Sequence, residues 1–172
     1  MQAISNSSPL IYLGKIGALD LFKNQFSSIF TTDYVRDEIL ADTNAPEHLA
    51  LLNAFDTFLT VRNLANTRFF NLLIKMAIHP GEASVIALAR EFQQEKKISP
   101  LLILDDLMAR KICESLNIKM TGTLGIILHA VKHAQITVQE CKTYFRNLCE
   151  NTTFRIETRL YSRILAEIEK LG

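Results

Sequence analysis

Leu101-Leu102-Ile103-Leu104-Asp105-Asp106 is the stretch on which the reading of this chain turns. Four consecutive apolar residues with no polar alternation fit a strand covered on both faces, as in a parallel sheet, and the run stops at two acids. Parallel strands need helical crossovers, so helices are expected on either side. Downstream, the pattern gives a helix from about Leu107 to Leu116, a strand at Ile118–Met120, and a Thr121-Gly122-Thr123 turn into a helix ending near Ala134. Thr137 is placed to cap a further helix, and Leu160–Leu171 reads as an amphipathic C-terminal one.

Upstream, the apolar stub Met1–Ile4 runs into Ser5-Asn6-Ser7-Ser8-Pro9, a strand end followed by a helix start, with Ser7 or Ser8 as cap and Pro9 in the first helical position. Helical spacing from Leu10 to Phe22, broken at Gly14 and Gly17, gives two short helices. A strand at Ser28–Thr31 leads to a helix capped by Thr32 or Asp33 and carrying Val35 and Glu38. Glu47–Phe55 reads as a helix, Phe58–Arg62 as a strand and Leu64–Ala77 as a helix. After His79-Pro80-Gly81, Glu82 opens an Ala-rich helix that ends in a charged stretch closing at Lys97. The alternation predicts an α/β fold with a mainly parallel central sheet, organised as one domain over residues 1–172.

Composition bounds the rest. Apolar residues make up 48% and charged residues 22%, an ordinary globular balance. A net charge of +1 gives no overall pull toward nucleic acid but leaves room for a local basic patch. Cys113, Cys141 and Cys149 are odd in number, lack CxxC spacing and sit in apolar helical contexts, so buried reduced thiols are expected. No histidine pairs at zinc-ligand spacing with a cysteine or carboxylate. With neither a leader pattern nor a membrane-length apolar run, the expectation is a cytoplasmic protein with no membrane partner.

In an open parallel sheet, ligands lie beyond the carboxyl ends of the strands. Asn6, Glu38, Glu82, Asp105 and Asp106 all fall on that edge or in a helical turn beside it. Grouped carboxylates repel one another, and hard oxygen-ligated Mg²⁺ or Mn²⁺ relieves the repulsion. The other reading is structural: Glu82 and Asp106 favour helix N-termini by about 0.3–1 kcal/mol each, and Glu38 is a solvated acid beside Asp37. On spacing alone the structural reading comes first, except at Asp105, where a charge ending a buried strand needs a partner or a purpose. His79 reads as a turn residue, and Arg110 as either a phosphate contact or a solvated helix residue.

The ordered landmarks Ser5-Asn6-Ser7-Ser8-Pro9-Leu10-Ile11, Val35 with Glu38, Gly81-Glu82-Ala83, Leu104-Asp105-Asp106 with Ala109-Arg110, and Thr121-Gly122-Thr123-Leu124-Gly125 span nearly the whole chain. With them the chain resembles PIN domains, in a branch described as a domain of unknown function related to bacterial VapC-like toxins. The resemblance implies a three-layer α/β/α fold and a Mg²⁺- or Mn²⁺-dependent ribonuclease, with an antitoxin protein as partner and a homodimeric assembly. It implies catalytic and metal-ligating roles for Glu38, Glu82 and either Asp105 or Asp106, with Asp105 preferred. It further implies substrate contacts from Ser8, Arg110, Thr121 and Thr123. One departure stands out. The family carries an aspartate where this chain has Asn6, which offers a metal an oxygen but no charge. Two readings follow: a nuclease weakened at this ligand, or an inactive PIN fold that binds RNA or protein.

Overall fold

A computed structural model describes residues 1–95 and 97–170. In chain order it contains β1 (Gln2–Ser5), α1 (Ser7–Lys15), α2 (Asp20–Gln25), β2 (Ser28–Thr31), α3 (Asp33–Leu40), α4 (His48–Thr57), β3 (Leu59–Val61), α5 (Thr67–Lys75) and α6 (Pro80–Glu95). It continues with β4 (Leu101–Ile103), α7 (Leu107–Ser115), β5 (Met120–Thr121), α8 (Thr123–Lys132), α9 (Val138–Glu150) and α10 (Thr158–Glu169). The five strands form a sheet in the order β3-β2-β1-β4-β5, and every pairing is parallel. The expected mainly parallel sheet is therefore wholly parallel among the described residues, with helices flanking it.

Topology locates the site. The chain builds outward from β1 to β2 to β3, then returns to lay β4 against the free side of β1. Connections leave β1 and β4 in opposite directions, which opens a crevice at their carboxyl ends. Ser5 lies in register with Ile103, and the Asn6 amide donates to the Ile103 carbonyl at 2.9 Å. The residues just past both strands, Asn6 and Asp105-Asp106, are thus brought to one place.

Burial explains why this register holds. Ala3, Ile4, Leu102, Ile103 and Leu104 have no exposed surface, so successive side chains on both faces of β1 and β4 are covered. Apolar side chains of the helices complete one continuous cluster, among them Leu10, Leu13, Phe22, Ile86 and Phe145. Beneath the crevice lies a polar layer of buried Ser5, Asn6, Ser7, Thr31, Thr32, Ser84 and Thr123, each at or near a strand end or helix start.

Several boundaries differ from the sequence expectation for physical reasons. Helix α1 starts at Ser7 with Asn6 as its N-cap residue, so Pro9 is third in the helix rather than first. Its missing N–H costs nothing there, because that donor belongs to the unpaired first turn. Helix α5 starts at Thr67 rather than Leu64, because the Asn66 side chain accepts from Arg68 N and caps it there. Strand β5 begins at Met120, and Asn117 in the left-handed region (φ 53°) ends the preceding helix turn. The capping role of Thr137 takes the form of a full capping box with Glu140. Leu171, the expected end of the last helix, lies outside the described residues. No helix among the described residues is long and apolar enough to cross a membrane.

Shortening a side chain under β4 tests this core. Leu102→Ala should cost about 2–5 kcal/mol, read as a fall in the urea midpoint with the slope unchanged.

Candidate functional site

The centre of the crevice is the Asn6 side chain. Asparagine is among the best N-cap residues, yet Asn6 makes no capping bond to α1. It is fully buried, and its Nδ2 donates across the crevice to Glu82 Oε1 at 3.2 Å. Its Oδ1 meets no donor among the described residues. A Cβ placed on Gly81 would stand 3.3 Å from this Oδ1 and 2.7 Å from Glu38 Oε2. The amide oxygen and the Glu38 carboxylate therefore face the same small space, kept open because residue 81 has no side chain. Two acceptors around a space without a donor call for a proton, water or cation.

Each acid has its own support. Glu38 sits on the exposed side of α3, and Ser7 Oγ donates to its Oε1 at 3.0 Å. Glu82, in the first turn of α6, has a side chain 17% exposed, with His79 Nδ1 3.6 Å from its Oε2. Burial raises its pKa above the ordinary value, and the negative charge of Asp106 adds to the rise. The Asn6 bond and His79 act in the opposite direction. The two helices bearing these acids are locked together below the crevice. Thr32 Oγ1 caps α3 and lies 2.6 Å from Ser84 Oγ of α6, which also donates to Gly81 O at 2.7 Å. His79 fills the turn before α6, where its Nδ1 accepts from Gly81 N at 3.3 Å.

The two adjacent aspartates separate in role. Asp105 accepts from Thr123 N at 2.9 Å and from Thr123 Oγ1 at 2.6 Å, tying the end of β4 to the start of α8. Arg110 stands on the same side, donating to Leu104 O at 3.1 Å and favouring the charged form of Asp105. Burial still raises the Asp105 pKa. A Cβ on Gly122 would come within 2.6 Å of Asp105 Oδ1, so glycine is what permits this close approach. The charge that ends the buried strand thus has its partners, and none of them is Glu38 or Glu82. Asp106 instead caps α7 through its Oδ1, bonded to Ala109 N at 2.8 Å, and stays exposed near enough to raise the Glu82 pKa.

The remaining candidates fall around this arrangement. Ser8 is partly exposed in the first turn of α1. Thr123 is buried and committed to Asp105. Thr121 packs its hydroxyl against α8 where Gly125 leaves room for it. Arg110 is committed to the Leu104 carbonyl. Thr31, Ser84 and Gly81 went unmarked as site residues in the sequence, and only Gly81, as a glycine opening a helix, carried a local signal. Cys113 and Cys141 are buried, with thiol pKa values pushed up to about 11, which makes them inert core residues.

The donor set is all oxygen, which suits a hard divalent cation. Among the described residues no three His, Cys, Asp or Glu side chains group as a metal site. What converges on Asn6 is two carboxylates and one amide oxygen. The orphaned, buried Oδ1 of Asn6 is the feature that fits a cation.

A family model described as a PIN domain matches residues 2–170. No curated protein and no solved structure matches the chain.

The raised pKa of Glu82 predicts a pH dependence. The folded chain holds this proton at a pH where the unfolded chain has released it, so its contribution is complete below the ordinary value of 4.5 and is lost as pH rises through the higher folded value. Glu82→Gln should therefore flatten the fall in stability above 4.5 and melt higher than the parent at neutral pH. Thermal melts in chelator across that window check this.

Proposed function

Because this chain belongs to the PIN-domain family, we propose that it is a metal-dependent endoribonuclease with its reaction centre at Asn6, Glu38, Glu82 and Asp106. The observation that carries this reading is the buried Asn6 Oδ1 facing Glu38 Oε2 across the space that Gly81 leaves open. Asn6, Glu38 and Glu82 are the ligands we assign to Mg²⁺ or Mn²⁺, with Asp106 contributing from the rim and Asp105 acting from its bonds to Thr123. A cation held there would lower the pKa of bound water and neutralise charge developing on a phosphodiester.

The chain's own groups do the positioning. Asn6 Nδ2 fixes one oxygen of Glu82, Ser7 fixes one oxygen of Glu38, and the Thr32–Ser84 contact sets the spacing of α3 and α6. Helices α1, α6, α7 and α8 all begin around the crevice, and their first-turn N–H groups favour a phosphate there. Asp105 holds the α8 start in place, so it is a positioning residue. Ser8 stands at the α1 start as the remaining candidate for a substrate contact.

Asn6 also supports a second reading, a PIN fold that binds RNA or a protein without cleaving it. An aspartate at this position would add a negative charge beside Glu38 and Glu82, whereas the amide brings none. By resemblance to VapC-like toxins, we extend the nuclease reading to the toxin half of a toxin–antitoxin pair in the cytoplasm, with an antitoxin protein and a second copy of the chain as partners. Exposed apolar Leu49 and Met76 are available for such contacts, whereas Phe70 and Leu73 are buried and belong to the core.

Titration calorimetry with Mn²⁺ tests the centre. Asn6→Asp should bind Mn²⁺ at least about tenfold more tightly than the parent, a gain of about 1.4 kcal/mol, and should cut single-stranded RNA faster. Binding by neither protein would contradict the metal reading, and cleavage by Asn6→Asp alone would favour the inactive module for the natural chain. Gly81→Ala, whose methyl group would crowd Glu38 Oε2, should weaken Mn²⁺ binding while the fold is kept.

A further inference from the structure

Away from the acids, α5 and α6 enclose a groove of about 570 Å³. Arg68, Lys75 and Arg90 line it together with Phe69, Leu72 and amide side chains including Gln94, and no carboxylate lines it among the described residues. None of the three cations forms an ion pair with a described carboxylate, on a chain whose net charge is only +1. Glu91, the neighbour of Arg90, does not line the groove, and its oxygens accept from Ala65 N at 3.3 Å and Asn66 N at 2.9 Å. Its charge is committed to the loop that opens α5.

Inside the groove the Arg90 guanidinium lies over the Phe69 ring, 4.1 Å from its centroid. A guanidinium held on an aromatic ring is a planar group on which a nucleobase can stack. Arg68 and Lys75 are exposed on the same groove, where long cationic side chains can meet phosphates. Only Phe69 and Leu72 are apolar among the groove's lining side chains, too few for the repeating anchors of a docked amphipathic helix. Cations without counter-charges, a stacking platform and amides match a single-stranded polynucleotide instead.

We propose that this groove is a second RNA-binding site, which holds a single-stranded segment of the substrate apart from the reacting phosphate. Helix α6 connects the two places. Glu82 stands at its start, and Arg90 follows about two turns, or about 12 Å, further along. The proposal rests on the nuclease reading for its role in cleavage, but binding at the groove is independent of metal and of the acids.

Fluorescence anisotropy with a labelled single-stranded oligouridine, in chelator, measures that binding without catalysis. The double variant Arg68→Gln/Lys75→Gln should weaken binding at least tenfold and reduce the slope of log affinity against log salt by about 1.4, the value for two lost single-strand phosphate contacts. Arg90→Gln should weaken binding with little change in that slope beyond its own charge. If Arg90→Gln melts early, the double variant, confined to exposed side chains, still decides the matter. Parent-like affinity in the double variant, or no binding by the parent in chelator, overturns the proposal. Groove-dependent binding without cleavage after Mn²⁺ is added would leave the groove standing and remove the nuclease reading instead.

Discussion

Strand β1 pairs in parallel with β2 on one side and β4 on the other, and the site depends on this double pairing. It buries Ala3 and Ile4 on both faces and fixes the register that brings Asn6 beside Ile103. A slip of one residue would turn every side chain of β1 to the other face, so the hydrophobic core sets where the polar crevice opens. The order β3-β2-β1-β4-β5 then makes the β1–β4 edge the place where connections diverge, the usual location of a ligand in an open parallel sheet.

At that edge the chain resolves an electrostatic conflict in two ways. Asp105 accepts two hydrogen bonds from Thr123 at the start of α8 and has Arg110 beside it, and burial still raises its pKa. Glu82 accepts from Asn6 through Oε1 and has His79 near Oε2, while Glu38 accepts from Ser7 through Oε1 and turns Oε2 to the space beside Gly81. Burial raises the pKa of Glu82 as it does that of Asp105, and the nearby charge of Asp106 adds to the rise at Glu82. Asn6 is central because one end of its amide supports Glu82 while the other is buried without a donor. An aspartate there would give up that support in return for charge, and the metal-free crevice would then repel itself more strongly.

Much of this was legible from residue order. The run Leu101–Leu104 ending in two acids marked a buried parallel strand, and the polar cluster after Ile4 marked the end of another. Thr32 and Thr137 as caps follow from local side-chain chemistry, which depends on neighbours only a few residues away. What sequence left open is what depends on distant contacts. Asp105 and Asp106 are adjacent in the chain, and only the packing of α8 against the end of β4 shows that Asp105 bonds Thr123 while Asp106 caps α7. The helix start falls at Ser7, ahead of the expected Ser7 or Ser8 cap and Pro9 first position, and the N-cap residue Asn6 spends its side chain on Glu82 in α6 instead of on α1. Ser84 had no signal, since a serine within an Ala-rich helix declares a role only when Thr32 is seen against it. The groove between α5 and α6 was equally hidden, because an overall charge of only +1 conceals three cations gathered on one side.

In the proposed centre, Asn6 Oδ1 and Glu38 Oε2 face a cation. Anomalous diffraction from crystals of the chain grown with Mn²⁺ tests it most directly. A manganese peak is expected in contact with Asn6 Oδ1 and Glu38 Oε2, beside Gly81 and within reach of Glu82. Ordered manganese elsewhere, with Asn6 Oδ1 accepting a hydrogen bond from a protein or water donor in that space, would contradict it.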